Sequence, residues 1–534
     1  PVDADGGIGN DTYVWALGDG NDYISDIDMA VGNTDTLKLA DVNASNVQLS
    51  RDQSHLYVRI VSSGEQITLA NYFGGAAYKV EQIQFADGAV WSTARLDVAP
   101  YRGTDGIDSL TGTSGDEIFI GGKGADTLNG GAGNDTYIWS LGDGNDTIND
   151  YDTANSNTDT LRFANLKAAD VQLSRDQSHL YVTAISSGEK ITLSNYFAGA
   201  AYKVEQLQFA DGTMWSTGTL DAAPYRGTAA AETLTGTTAN EIFIGGKGAD
   251  TLNGGTGNDT YIWALGDGND VISDIDTALG NSDTLKFIDV NAANVQLSRD
   301  ASHLYLTILS SNERITVSNY FAGAAYKLEQ LQFADGTIWS TVTLDAAPYR
   351  GTAAADSITG TTANEIFIGG KSADTLTGAA GNDTYVWALG DGNDIINDYD
   401  TTAGNVDTLK FSDLNASNVQ LSRDQSNLYA TAISSGEKIT LLNYFAGAAY
   451  KVEQFQFADG ALWNTTVLDA APYRGTVGGD TITGTVDSET FIGGKGVDNL
   501  NGGSGNDTYV WALGDGNDII TDYDLTTGNV DTLK

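Results

Sequence analysis

The sequence predicts an all-β protein built of tandem 124-residue units, each a short parallel β-roll followed by an antiparallel β module, joined into an elongated rod. Three observations carry that prediction. The phrase GNDTY begins at Gly9, Gly133, Gly257, Gly381 and Gly505, a constant step of 124 with no insertion or deletion. The first part of each unit is a run of nonapeptides, such as Gly-Gly-Lys-Gly-Ala-Asp126-Thr-Leu-Asn129 and Gly-Gly-Ala-Gly-Asn-Asp135-Thr-Tyr-Ile138, with a Gly-rich turn and an acid at the sixth place. The remainder alternates apolar and polar residues over short runs bounded by turn signals.

The complete units are residues 103–226, 227–350 and 351–474. Residues 1–102 are a partial first unit, with a roll end at 6–25 and an antiparallel part at 26–102, and residues 475–534 are a partial fifth. In the second unit the nonapeptides start at Gly103, Gly112, Gly121 and Gly130. Their three-residue tails are too short for independent strands, but stacked as coils, two nonapeptides per turn, they form two parallel sheets that bury one apolar residue each. An offset fifth loop, Leu141-Gly-Asp-Gly-Asn-Asp146-Thr-Ile148, closes the run. Next come expected strands at Thr160–Phe163 and Val171–Ser174, a hairpin of His179–Ile185 and Lys190–Ser194 around Ser-Ser-Gly-Glu, and a strand at Val204–Phe209 turned back into Met214–Trp215. Helical pattern is confined to a turn near Leu166–Asp170. Pro100, Pro224, Pro348 and Pro472 mark the unit seams, and linkers are otherwise absent.

Composition narrows the function. The 534 residues hold 71 Asp and Glu against 27 Lys and Arg, a net charge of −44. Nucleic acid and anionic membranes would be repelled. With 41% hydrophobic residues, 25 Tyr, 16 Phe and 9 Trp, the chain is nevertheless a folding one. Such charge strains a compact state by self-repulsion, which bound cations relieve. The absence of cysteine removes disulfides, thiolate zinc sites and Cys nucleophiles, so an extracellular chain of this kind needs metal as its staple. No run of 18 apolar residues exists to span a membrane. The opening PVDADGG is not a signal peptide, so an export signal is expected to have been removed or to lie outside this chain. The final Asp531-Thr-Leu-Lys534 repeats Asp35–Lys38 and stops inside an expected strand, which reads as a slice of a longer array; a strand completed by a neighbouring chain is the alternative.

A hard cation suits the nonapeptide. Calcium takes about six to eight oxygens in flexible geometry. Gly at the first, second and fourth places lets the turn adopt positive φ and aim carbonyls at one centre, while the sixth-place Asp adds an anionic oxygen. The register of these loops resembles the RTX family of haemolysin-type calcium-binding repeats. The second half, with Asp283-Thr-Leu-Lys-Phe287, Asn195-Tyr-Phe197 and Val204-Glu-Gln-Leu-Gln-Phe-Ala-Asp-Gly-Thr-Met-Trp215, resembles the haemolysin-type calcium-binding-protein-related domain. The resemblance implies Ca2+ between loop n and loop n+2, type I export from a Gram-negative-type cell, and folding outside on meeting calcium.

Carried onto this chain, the resemblance implies ligands in the third and fourth loops: Asp126 and Asp135, Asp250 and Asp259, Asp374 and Asp383, Asp498 and Asp507. The offset loop adds Asp146, Asp270, Asp394 and Asp518, and the first partial unit Asp11 and Asp22. First loops contribute Asp108 and Asp480. Departures are Glu117, Glu241, Glu365 and Glu489 in the second loops and Glu232 in one first loop; loops one and two are therefore expected to bind weakly or to be structural coils. Ser372 and Ala379 replace loop glycines in the fourth unit and weaken the expectation there. A further motif, Asp150-x-Asp152-x4-Asn157-x-Asp159, lacks the Gly and Glu of an EF-hand and recurs at Asp26/Asp28, Asp274/Asp276, Asp398/Asp400 and Asp522/Asp524. Its first two acids are either calcium ligands or turn residues leaving the last coil. With the intact loops at the end of each roll, metal is expected to cluster at the hand-over to the second half.

The nine Trp follow the period and read as core or seam residues. His55, His179 and His303 share one repeat place where the fourth copy has Asn427, and no Ser–His–Asp set or phosphate loop is legible, so no enzyme is expected. The leading expectation is a secreted, calcium-stabilised repeat protein building an extracellular rod, filament or surface layer by self-association. An adhesin stalk displaying a threonine or aromatic face, or the calcium-dependent export tail of an enzyme or toxin, are the alternatives.

Overall fold

The computed structural model describes residues 3–30, 32–154, 156–277 and 280–534; Pro1 and Val2 of the opening segment lie outside them. By packing, the chain divides into two compact units, residues 1–228 with 234–245, and residues 229–233 with 246–534. The dividing line runs through the first loops of the third repeat copy, not at a multiple of the 124-residue period.

The second copy lies in the first compact unit and shows the architecture. Its strands are β1 (Tyr101–Arg102), β2 (Ser109–Thr111), β3 (Ile118–Ile120), β4 (Thr127–Asn129), β5 (Thr136–Trp139), β6 (Thr147–Asn149), β7 (Thr160–Phe163), β8 (Val171–Arg175), β9 (Leu180–Ala184), β10 (Lys190–Leu193), β11 (Gln206–Gln208) and β12 (Met214–Ser216). Successive coils send alternate strands to two sheets. One runs β1–β3–β5–β7–β11 in parallel, with Tyr101, Phe119, Tyr137, Leu161 and Leu207 in one inward register. The other runs β2–β4–β6–β10 in parallel through Leu110, Leu128, Ile148 and Leu193. With two residues of each three-residue strand turned outward, the central one is what packs the core. Tyr101, Phe119 and Tyr137 stack with ring centroids 5.0 and 5.3 Å apart. Each such buried ring or leucine contributes about 1.5–3 kcal/mol.

The antiparallel part is smaller than expected. Only β8–β9–β10 and β11–β12 pair antiparallel, whereas β7 and β11 continue the roll's sheet in parallel. The first copy behaves alike: Thr36–Leu39 pairs in parallel with Thr12–Trp15, so an antiparallel part does not begin at residue 26. Alternating burial reports that a strand has one inner face and says nothing of its partner's direction, which is why the two modes look alike in sequence. A short helix at Thr217–Leu220, anchored by buried Leu220, had no sequence signal, while the expected turn is a 3-10 turn at Ala168–Asp170. The second compact unit repeats this order through the fourth copy, residues 351–474. The fold is all-β, tandem and mixed, with parallel coils and antiparallel insertions.

The seam is a continuous sheet. Arg175 at the end of β8 pairs with Tyr225, which pairs in parallel with Phe243 of the next coil. The Arg175 guanidinium sits 3.5 Å from the Phe197 ring centre and 3.7 Å from Glu241 Oε1, and the Gln177 side-chain amide donates to Gly236 O at 3.1 Å. Trp139 is buried and Trp215 packs edge-on against Phe209. Among the described residues no helix is long and apolar enough to cross a membrane.

Candidate metal centres

Each intact loop is shaped by its glycines. Gly122 and Gly124 have φ of 94° and 135°, and a Cβ on either would collide with the carbonyl of Thr104 or Gly106 in the coil beneath. Only glycine allows loops to stack so closely. The sixth-place acids then form ladders from coil to coil. Asp126 Oδ1 accepts the Asp108 N–H at 2.8 Å, and Asp146 Oδ1 accepts that of Asp126 at 2.9 Å. On the other edge Asp135 accepts from Glu117 at 2.8 Å and Asp159 from Asp135 at 2.7 Å. Asp270, Asp394 and Asp518 repeat the role of Asp146, at 2.9, 2.9 and 3.1 Å.

In the third- and fourth-loop acids one oxygen is thus used, and in most of them the other is not. Oδ2 of Asp11, Asp126, Asp135, Asp250, Asp374, Asp383, Asp498 and Asp507 is buried without a hydrogen-bond partner. A buried carboxylate oxygen left unpaired is costly, and a cation is the partner that fits it. Asp22, at the head of strand Asp22–Ile24, is half-buried. Asp108 and Asp480 differ in that their Oδ2 is hydrogen-bonded. Thr104 and Thr476 stand where intact loops have the second glycine, and each donates its N–H (2.6 Å) and its hydroxyl (2.8 and 2.9 Å) to the Oδ2 that would face a metal. The second-loop glutamates are also partnered within the protein: Glu365 takes the Thr361 N–H at 2.7 Å and hydroxyl at 2.6 Å, and its Oε1 lies 3.6 Å from buried Arg299.

Three carboxylates converge where the roll ends. Asp135 of the fourth loop, Asp150 just past β6 and Asp159 just before β7 are all buried and offer oxygens within 4.8 Å of one another, as do Asp259, Asp274 and Asp283; Asp507, Asp522 and Asp531 lie equally close, with only Asp507 buried. That span matches oxygens on opposite sides of one calcium at about 2.3–2.6 Å. Both oxygens of Asp150 lack partners, as do those of Asp26, Asp274 and Asp398. Burial, then the Asp159 carboxylate beside it, pushes Asp150 up to about 9, and burial pushes Asp135 up to about 7. Asp398 and Asp383 repeat those positions at about 9 and about 7. Carboxylates so placed either hold protons or hold a cation.

The paired reading of the exit motif divides. Asp150 and Asp274 face the cluster and Asp398 is likewise buried, whereas the side chains of Asp152 and Asp400 cap the turn. Asp152 Oδ1 caps the Ala154 N–H at 2.7 Å and Asp400 Oδ1 the Thr402 N–H at 2.6 Å, while the Asp276 N–H reaches Ala325 O at 2.8 Å. Asp28 likewise caps Ala30 at 2.7 Å. The third member, Asp159 with its counterparts Asp35, Asp283, Asp407 and Asp531, was the acid the sequence reading passed over as a ligand. Its signal was its place before Thr-Leu, as Asp126 stands before Thr127-Leu128. The histidines are acceptors: His179 Nδ1 takes the Asn195 N–H at 2.9 Å, and Asn427 Oδ1 does the same for Asn443.

Comparison with known proteins agrees with this geometry. Residues 102–137, 226–261, 350–385 and 474–509 match the RTX calcium-binding nonapeptide repeat, and residues 55–95, 179–219, 303–343 and 427–467 match the haemolysin-type calcium binding protein related domain. Together these exceed half of the chain. The chain belongs to the RTX repeat proteins. Calcium is accordingly the ion its orphaned carboxylates fit. One similar protein is the iron-regulated protein FrpA of Neisseria meningitidis serogroup C, 31% identical over 103 residues, which is 18% of this chain and 9% of that protein. The RTX chain thus matches less than a tenth of that relative's length. The extracellular lipase LipA of Serratia marcescens is 15% identical, with a TM-score of 0.17 over 46% of this chain and 45% of the lipase, and carries no argument about this one.

Proposed function

We propose that this chain is a calcium-stabilised repeat region of a secreted protein, without catalytic activity of its own, that builds an extracellular rod, filament or surface layer. The observation that supports it is the recurrence, in register from copy to copy, of buried carboxylate oxygens with no partner. Repetition of this kind suits a scaffold, because each copy needs the same ion to fold and displays the same surface. External calcium at about 10⁻⁴–10⁻³ M would switch folding on after export. Self-association of such scaffolds into fibres or lattices completes the reading.

An adhesive stalk showing a threonine face is less favoured. The column Ser109, Thr127, Thr147, Thr192 is regular in the second copy, but its counterpart in the fourth is broken by Ile395. Circular dichroism of the chain with calcium and with excess EDTA tests the proposal. Loss of β signal on chelation, restored by calcium, is expected; an unchanged β spectrum without calcium overturns it. Negative-stain images of the calcium-loaded chain then separate long fibres from single short particles.

A further inference from the structure

We infer that each copy holds a calcium site at the hand-over from roll to hairpin that is not a pair of nonapeptide loops: Asp135, Asp150 and Asp159 ligate the ion, with the Tyr137 hydroxyl turned toward it. The inference rests on the calcium reading above and deepens it, because Asp150 and Asp159 fall between the two matched segments, 102–137 and 179–219.

Two observations besides the acid cluster point to an ion. Tyr137 is 1% exposed and its hydroxyl has no hydrogen-bond partner. That hydroxyl and Asp135 Oδ2 lie side by side above Gly130, where a Cβ would meet both, so tyrosine and carboxylate share one centre. Asp150, 3% exposed, has both oxygens unpaired. In the first copy Tyr13 and Asp26 repeat this state, and in the last the Tyr509 hydroxyl donates to Asp522 Oδ2 at 3.0 Å.

The location gives the site a task. Asp159 opens β7, and its N–H donates to Glu205 Oε2 at 2.9 Å, one residue before β11. An ion held by Asp159 therefore orders the two strands on which the hairpin half hangs. Calcium here couples completion of the roll to docking of the rest of the copy, whereas Asp126 and its neighbours serve the roll alone.

The test counts bound calcium on the full chain by equilibrium dialysis, with hydrogen exchange read at β7 and β11. Asp150→Asn is expected to lose one calcium per chain and to speed exchange at Thr160–Phe163 and Gln206–Gln208 while leaving Thr127–Asn129 unchanged. Asp152→Asn, two residues away in the turn, is expected to keep the full complement. A full complement in Asp150→Asn, or a lost ion in Asp152→Asn, overturns the site and leaves calcium in the nonapeptide loops untouched. A wild-type chain that binds no calcium overturns the broader reading instead. If Asp150→Asn unfolds its copy and sheds several ions, Asp159→Asn decides by the same count, because its amide oxygen still accepts the Asp135 N–H: one ion lost supports the site and none lost overturns it.

Discussion

Asp159 accepts the backbone N–H of Asp135 at 2.7 Å, the same bond that Asp126 makes with Asp108 one sheet away at 2.8 Å. The segment after the fifth loop has no glycine-rich nonapeptide, yet its last acid stands in the ladder as if it had one. The ladder of acids therefore ends on one supplied by the half that follows the roll.

Chelation and pH act on the same carboxylates, and the sign follows from their direction. Asp150 and Asp398, at about 9, and Asp135 and Asp383, at about 7, hold protons more tightly folded than unfolded, where a value near 3.8 applies. In EDTA the stability they contribute is complete below about pH 4 and is lost as pH rises through about 7 to about 9. Any β signal that survives in EDTA at low pH is expected to fall across that window. With calcium the trend reverses, because the ion needs the ionised form, and its uptake at pH 7 releases protons measurable in weakly buffered solution. A β signal in EDTA that grows with pH contradicts this account.

Ala379 stands at a loop-glycine place with φ of 77° and keeps the loop's shape at a steric cost. Ala379→Gly is expected to raise stability by about 1 kcal/mol in urea unfolding with calcium present. Ser372, at φ of 88°, recovers part of its cost through its hydroxyl bond to Ala353 O at 2.9 Å, so Ser372→Gly should gain less.

The seam ion pair is buried on both sides, with Arg299 and Glu365 side chains 7% and 0% exposed. Removing one partner strands the other's charge. Arg299→Met or Glu365→Gln alone should cost about 3 kcal/mol, and the double variant less than their sum, by denaturant melts in a double-mutant cycle. Additive losses would show that the pair is not coupled.

One seam lacks a part. Gln53, Gln177 and Gln425 donate their amides to Gly112 O, Gly236 O and Gly484 O at 3.0, 3.1 and 3.3 Å, but the third copy has Ala301 at that place. Ala301→Gln should form the corresponding bond to Gly360 and add about 0.5–1 kcal/mol, read as slower hydrogen exchange at Ser357–Thr359.

Much of the metal chemistry was legible, and what was missed has a common cause. The glycines of each loop announce their own backbone need, so the turn at Gly122–Asp126 could be read without knowing its neighbours. The different surroundings of Asp108 were announced by Thr104, a donor four residues away that now holds its Oδ2. Tyr137 gave no such sign, since tyrosine in a strand reads as core and 22 residues separate it from Asp159.

The sequence alone determined the 124-residue register, the loops and the sixth-place acids, because each depends on one residue's conformational freedom or charge at a fixed place in a repeat. Tertiary structure decided that β7 and β11 run on in parallel, that Asp150 turns inward while Asp152 turns out, and that Asp135, Asp150, Asp159 and the Tyr137 hydroxyl meet. Those outcomes depend on how one coil settles upon the next, and coil-to-coil stacking sets distances between residues that no local pattern relates.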